Sequence, residues 1–325
     1  MRPGPVIRMI VAYGLGSVGL ACAHLPMHHE RPDVHNVTAW YFAGPPEHLG
    51  RVFLLRIDAR VTQDAGSLDC ATTGLYELDD SGRDAVPQLV GDSACVWLGR
   101  GPGPDVSPDG REVALVEGGV LKVLDINKRT NVTIAGTCSH VEPDPAWSTD
   151  GGRLAFTGRC GTAESDAWLY AVGQDGKNLA VVASGLPGTF MSYPRWSPNG
   201  RDIAFTSWSG SAQGYITIVR TGEGHPRTIA LGVRPEWDPA GQWIAYFRID
   251  TLNLDPTGIA LVRSDGSDDH EVLTFKGART RIPPERAVGR LMWNEDGSRI
   301  LFSDGRTLWS IGRDGLGLRR LLQPD

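Results

Sequence analysis

A four-residue polar turn that ends, in every copy, on glycine and runs straight into a short apolar strand recurs five times along this chain. The copies are Ser107-Pro108-Asp109-Gly110 before Val113 to Val116, Ser148-Thr149-Asp150-Gly151 before Leu154 to Thr157, and Ser197-Pro198-Asn199-Gly200 before Ile203 to Thr206. Asp238-Pro239-Ala240-Gly241 before Ile244 to Phe247 and Asn294-Glu295-Asp296-Gly297 before Ile300 to Ser303 complete the series. Each unit has a second half, a strand leading into another polar turn, at Leu121 to Asn127, Leu169 to Gly176, Ile216 to Gly222, Ile259 to Gly266 and Leu308 to Gly315. A degenerate sixth copy precedes them, with Gly50 to Leu55 and Leu75 to Gly82 in the two roles. Such short strands cannot bury both faces alone; stacked radially as blades, each gains a neighbour and few edges stay open. The expectation is an all-β chain, a six-bladed β-propeller of four-stranded antiparallel blades over residues 37–325. Trp147, Trp196, Trp237 and Trp293 stand directly before four of the turns. They are read as core between blades rather than as exposed platforms for stacking a ligand.

Glycine (41) and proline (22) are spread through all 325 residues, which suits many turns and few long helices. The net charge of -6 removes the broad positive field that non-specific phosphate binding needs, so nucleic acid is excluded as a partner.

The amino terminus reads as an export signal over residues 1–23. Arg2 and Arg8 precede an uncharged run from Met9 to Ala23, short for a membrane span and suited to a secretory signal. Ala21-Cys22-Ala23 allows cleavage after Ala23, whereas Val18-Gly19-Leu20-Ala21-Cys22 resembles a bacterial lipoprotein box in which Cys22 is lipidated. Within the same run, Gly14-Leu15-Gly16-Ser17-Val18-Gly19 spells the dinucleotide fingerprint. That fingerprint needs a following strand ending in an acid, and Pro26 to Asp33 cannot make one. Residues 24–36 read as a flexible tether; the prolines among His24, His28, His29 and His35 argue against a metal site.

The pattern P-x-W-S-P-D-G followed by x-I-A-F, at Pro145 to Phe156, Pro194 to Phe205 and Pro235 to Tyr246, resembles the WD-repeat-like β-propeller family typified by the TolB periplasmic protein. The same repeat also occurs in propellers of prolyl oligopeptidase-like enzymes, so the resemblance implies a fold more than a chemistry. It implies blades running from strand A inside to strand D outside, with A-to-B and C-to-D turns at one end and B-to-C and D-to-A loops at the other. On that topology Cys70, Cys95, Cys138 and Cys160 all fall in loops at the second end. With Cys22 set aside the count is even in an exported chain, which reads as two disulfides. Three connectivities exist, and adjoining loops favour Cys70 with Cys95 and Cys138 with Cys160. Zinc is the competing reading, without any C-x-x-C spacing to support it.

The loop-rich end also carries the candidate partner-binding residues: the basic stretch Arg279, Arg281, Arg286 and Arg290, and, near the channel mouth, Asp105, Arg195, Arg234 and Glu236. Signals for catalysis are thin. Gly91-Asp92-Ser93-Ala94-Cys95 falls short of a nucleophile elbow, and the remaining histidines do not converge as a metal-dependent lyase would require. The acidic turns lack the spacing of a calcium loop. The sequence therefore suggests a monomeric, cofactor-free and metal-free propeller that is periplasmic, anchored to the outer membrane as a lipoprotein, or secreted. It would bind a protein, peptide or cell-wall partner, and touch the membrane only through a lipid on Cys22. The alternative is a propeller enzyme, a hydrolase or carbohydrate-active lyase, with carboxylates at the channel mouth.

Overall fold

The computed structural model describes residues 104–322, apart from short stretches at 126–127, 129, 136–137, 143, 161–166, 186–188, 210–212, 253–254, 276–287 and 304–306, and the backbone of four strands between 36 and 88. Those four are β1 (Asn36–Gly44), β2 (Arg51–Val61), β3 (Leu68–Asp79) and β4 (Ala85–Gln88). The first full blade holds β5 (Asp105–Val106), β6 (Glu112–Glu117), β7 (Val120–Asp125) and β8 (Thr130–Thr133). The second holds β9 (Cys138–Val141), β10 (Ala146–Trp147), β11 (Arg153–Cys160), β12 (Ala167–Gly173) and β13 (Ala180–Ser184). The third has β14 (Phe190–Trp196), β15 (Asp202–Trp208), β16 (Gly214–Arg220) and β17 (Arg227–Leu231). The fourth has β18 (Val233–Trp237), β19 (Trp243–Ile249), β20 (Pro256–Arg263) and β21 (His270–Thr274). The fifth has β22 (Val288–Trp293), β23 (Arg299–Ser303), β24 (Leu308–Gly312) and β25 (Arg319–Leu322). Every sheet is antiparallel with its four main strands in chain order, β9 alone pairing out of sequence with β11, and the described residues contain no helix.

The glycine turns explain why the strands fold back. Ser107 Oγ donates to Asp109 Oδ1 at 2.6 Å and accepts from Glu112 N at 2.9 Å, while Gly110 N closes onto Ser107 O at 2.8 Å. Gly110 takes φ +72°, left-handed backbone that a side chain resists. Ser148 with Asp150, and Ser197 with Asn199, repeat the same ring of bonds, and Asn294 with Asp296 builds a variant of it.

Alternation along each second strand sends large residues one way and alanine the other. Leu154 and Phe156 pack toward blade one, and Ala155 toward blade three; Ile203 and Phe205 pack toward blade two, and Ala204 toward blade four. Each core is thus shared by two sheets, and no sheet is amphipathic by itself. The four tryptophans lie in these shared cores, as the sequence implied. Trp147 Nε1 donates to Asp105 O at 3.1 Å, Trp237 Nε1 to Arg195 O at 3.1 Å, and Trp293 Nε1 to Glu236 O at 3.2 Å. Each bond reaches the preceding blade. Trp196 Nε1, although buried, has no partner; its ring lies 4.3 Å beneath the Arg153 guanidinium. Trp237→Phe is therefore expected to lose about 1 kcal/mol more stability than Trp196→Phe, which gives up no hydrogen bond, and urea midpoints of the two variants measure the difference.

Three expectations need correction. The blades number five rather than six: β5 to β25 form five sheets with described, interlocked side chains. Sheet β1-β2-β3-β4 has the same strand order, but β2 and β3 run to 11 and 12 residues, against at most eight in the five blades, and its side chains lie outside the described residues. Cys70 falls within β3, opposite Ala59, because that long hairpin takes up what was read as a loop. Cys138 opens β9 and Cys160 ends β11, so neither is a loop residue. β9 pairs with β11 through Val141 opposite Gly158, upstream of β10, and so forms the first half of the blade's innermost strand, broken between Glu142 and Pro145. It lies so close that a Cβ on Gly158 would come 2.3 Å from His140 O.

Candidate functional site

The first strands of successive blades lie against one another in the order β5, β10, β14, β18, β22, which makes them the innermost. Two positions on these strands face inward with charge. The residue directly before each tryptophan is Ala146, Arg195, Glu236 or Met292, and Asp105 has the same place in β5, where Val106 replaces the tryptophan. Three residues before the tryptophan stand Asp144, Tyr193, Arg234 and Arg290. There the ladders slip, between Ser192 and Arg195, Val233 and Glu236, and Val288 and Met292, and in the second blade the strand breaks at the same point. Bulges re-aim side chains, and these turn one charged or aromatic group per blade toward the centre.

The result is a chain of ion pairs across the five blades. Arg195 donates from Nη1 and Nη2 to Asp144 Oδ1, both at 3.1 Å, from Nε to Glu236 Oε2 at 3.2 Å, and from Nη1 to Pro194 O at 2.6 Å. Arg290 grips Glu236 through Nε to Oε2 at 3.2 Å and Nη2 to Oε1 at 3.1 Å, and its Nη1 bonds Asp105 Oδ1. Asp105 Oδ2 in turn accepts from Trp147 N at 2.7 Å. All five charged residues are buried, at 7% exposure or less. Asp105, Arg195, Glu236 and Arg290 were expected to face a partner; the structure turns them onto one another, because a charge on an inner strand has no water to face and needs an ion partner.

Asp144, which no sequence signal singled out, is the odd member. Three carboxylates meet two guanidiniums, and Asp144 Oδ2 has no hydrogen-bond partner. Burial pushes its pKa up to about 6; Arg195 and Arg290 pull the other way, and Asp105 adds to the rise. Burial also works against the charge on Arg290, yet the Glu236 and Asp105 carboxylates outweigh it and hold the guanidinium above its usual range. A carboxyl that folding raises from about 3.9 adds stability in full below that value, and the contribution fades as pH climbs through 6, a span worth about 3 kcal/mol. Asp144→Asn is therefore expected to match the wild type near pH 4 and to exceed it by up to about that amount at pH 7.5, as urea titrations at the two pH values will read out.

Above this buried layer Tyr193 and Arg234 both adopt φ 58°, each directly before a proline. Left-handed backbone on two bulky residues costs about 1–3 kcal/mol apiece and collects at functional sites. The Arg234 guanidinium lies 5.2 Å over the Tyr193 ring, and its backbone N–H donates to Thr206 Oγ1 at 2.9 Å. At the same end Phe190 stacks on Trp208 at 5.5 Å and Arg159 on Trp168 at 4.8 Å. A disulfide joins Cys138 to Cys160 there. Cys22, Cys95, Arg279, Arg281 and Arg286 lie outside the described residues, as does the side chain of Cys70. Among the described residues no group of three metal-ligating side chains converges.

Neither a protein-family model nor a curated protein matches the chain. Solved structures do. A protein of Agrobacterium tumefaciens described as a TolB superposes with a TM-score of 0.53 at 19% identity over 68% of this chain and 80% of its own. TolB from Acinetobacter baumannii gives 0.52 at 17% identity over 75% of this chain, which spans 58% of that protein. The tricorn protease gives 0.52 at 9% identity over 91% of this chain and 36% of its own. Identities this low establish a shared fold, a β-propeller of TolB-like form, and no more.

Proposed function

We propose that the chain is a non-catalytic, exported β-propeller that binds a protein, peptide or cell-wall partner through its loop-rich end. The buried ion chain carries this reading: Asp105, Arg195, Glu236 and Arg290 are turned onto one another and onto Asp144, so they stiffen the fold and are not laid out to meet a substrate. Binding then falls to the loop-rich end, where Tyr193 and Arg234 are held in strained backbone and stack on each other, and where Arg159 stacks on Trp168. The fold shared with TolB structures supports an envelope partner. The signal-like residues 1–23, with Cys22 as the lipidation point, and the tether at 24–36 support a periplasmic, outer-membrane-anchored or secreted monomer. In this reading 37–325 is the propeller.

The enzyme reading, hydrolase or lyase, has one observation in its favour: a carboxyl raised to about 6 is poised to give or take a proton near neutrality. Capture decides between the two. Full-length protein cross-linked in its native envelope should retain a partner, and Arg279→Ala, Arg281→Ala and Arg286→Ala combined should lower retention at least fivefold with thermal unfolding unchanged. Equal retention by the triple variant removes that end of the ring as the binding face.

A further inference from the structure

The outermost strand of the second blade, β13, has an edge unlike those of the other blades. β17, β21 and β25 open on Arg227, His270 and Arg319, and β8 carries Thr130, Asn131 and Thr133, whereas β13 runs Ala180, Val181, Val182, Ala183 and Ser184. Charged and polar side chains are the usual guard on an outer edge, and β13 has almost none. It pairs with β12 alone among the described strands, and Val181 is 56% exposed.

The crevice beside this strand is also unlike its neighbours. Between blades three and four, Arg227, opposite Ile218, spans the gap, donating from Nη1 to Asp265 O at 3.0 Å and from Nη2 to Ser264 O at 2.7 Å. Between blades four and five Trp243 fills it, with Arg263 stacked at 4.5 Å, Arg313 at 5.2 Å and His270 edge-on at 5.7 Å. Between blades two and three the corresponding places fall to Ala180, opposite Ala171, and to Gly173, opposite Arg153. Their small side chains leave a cavity of about 660 Å³, bounded on the far side by Thr221 and Gly222. Ala180, Val181 and Val182 all line it, and since successive residues of a strand face opposite ways, the cavity wraps the edge of β13 rather than one face. Arg153 is its unmatched charge. The guanidinium stacks 4.3 Å over Trp196 and donates from Nη2 to Gly200 O at 2.9 Å, which leaves Nε and Nη1 without an acceptor among the described residues. Asp175, also in the cavity wall, is already engaged: Oδ1 accepts from Lys177 N at 3.0 Å and Oδ2 lies 3.2 Å from Lys177 Nζ.

We propose that β13 and this cavity form a docking site for an extended, glutamate-bearing peptide segment of a partner protein, added to the second blade as a fifth strand. Backbone bonds along the open edge supply the binding, and the cavity with Arg153 selects the side chain that turns inward. Glutamate suits it better than the shorter aspartate, because three strand spacings of about 4.8 Å separate β11 from an added strand. The site lies at the turn end, apart from the loop-rich end. A displayed library of random decapeptides, selected on the full chain at pH 7, supplies the probe. Enriched peptides should hold a glutamate between β-branched residues, and a synthetic copy of the leading one should slow amide exchange at 180–184 at least tenfold. Val181→Lys, at an exposed position, should weaken that copy at least tenfold, and Ala180→Ile, which fills the cavity, by a similar factor, both unfolding as wild type. Exchanging the peptide's glutamate for glutamine should cost the wild type at least fivefold in affinity and cost Arg153→Gln nothing further. No enrichment over an uncoated control, unchanged exchange at 180–184, or equal binding by Val181→Lys would overturn the proposal. So would a dimer in sedimentation that Val181→Lys splits, which would give the edge to a second copy of this chain.

Discussion

Arg290→Met should unfold with a loss of about 3–5 kcal/mol, among the largest effects a single substitution in this chain can have. The side chain is 4% exposed and joins the fifth blade to the fourth through Glu236 and to the first through Asp105. Methionine fills a similar volume, so a cavity is not the source of the loss. What remains is a pair of buried carboxylates, Glu236 with Arg195 alone and Asp105 with the Trp147 N–H alone. Chemical denaturation at neutral pH checks the size. A loss below about 1 kcal/mol would mean that apolar packing alone joins these blades.

Removal of the Cys138–Cys160 disulfide should cost about 3 kcal/mol. The bond closes a loop with a sequence separation of 22, for which the chain-entropy relation gives a value of that order. It also fastens a four-residue strand, β9, whose backbone is seated directly on Gly158. The double variant Cys138→Ser, Cys160→Ser should unfold earlier in calorimetry by an amount set by that loss. Reductant should lower the wild type's transition by more than the variant's, the excess matching the cost of this one bond. A wild type indifferent to reductant would show the bond to be energetically idle.

The repeat was legible because its chemistry is local. Ser, Asp and Gly at fixed offsets close a turn with their own side chains, as Ser107, Asp109 and Gly110 do, and each copy announces itself without reference to the rest of the chain. The inter-blade role of the tryptophans followed from the same spacing. The axis was less legible because equivalent positions carry unlike residues: Ala146, Arg195, Glu236 and Met292 share one place in four strands. Their identities answer to partners 41 to 185 residues away, a distance over which sequence pattern carries no sign. Asp105, Arg195, Glu236 and Arg290 could be picked as charges near the centre, but not paired. Asp144 was passed over, although its offset from Trp147 equals that of Tyr193, Arg234 and Arg290 from theirs, a signal visible once the bulge is known. β9 was hidden for a related reason: the prolines at 143 and 145 interrupt its strand, and an interrupted strand reads as a loop.

The indole bonds overlap like roof slates, three of them laid over the blade before and fixed from a single side. Two blades lack that fixing: the first, with Val106 where its successors have tryptophan, and the third, whose Trp196 indole bonds nothing. Under tension the blades should part at one of these two seams before they part beneath a bonded slate.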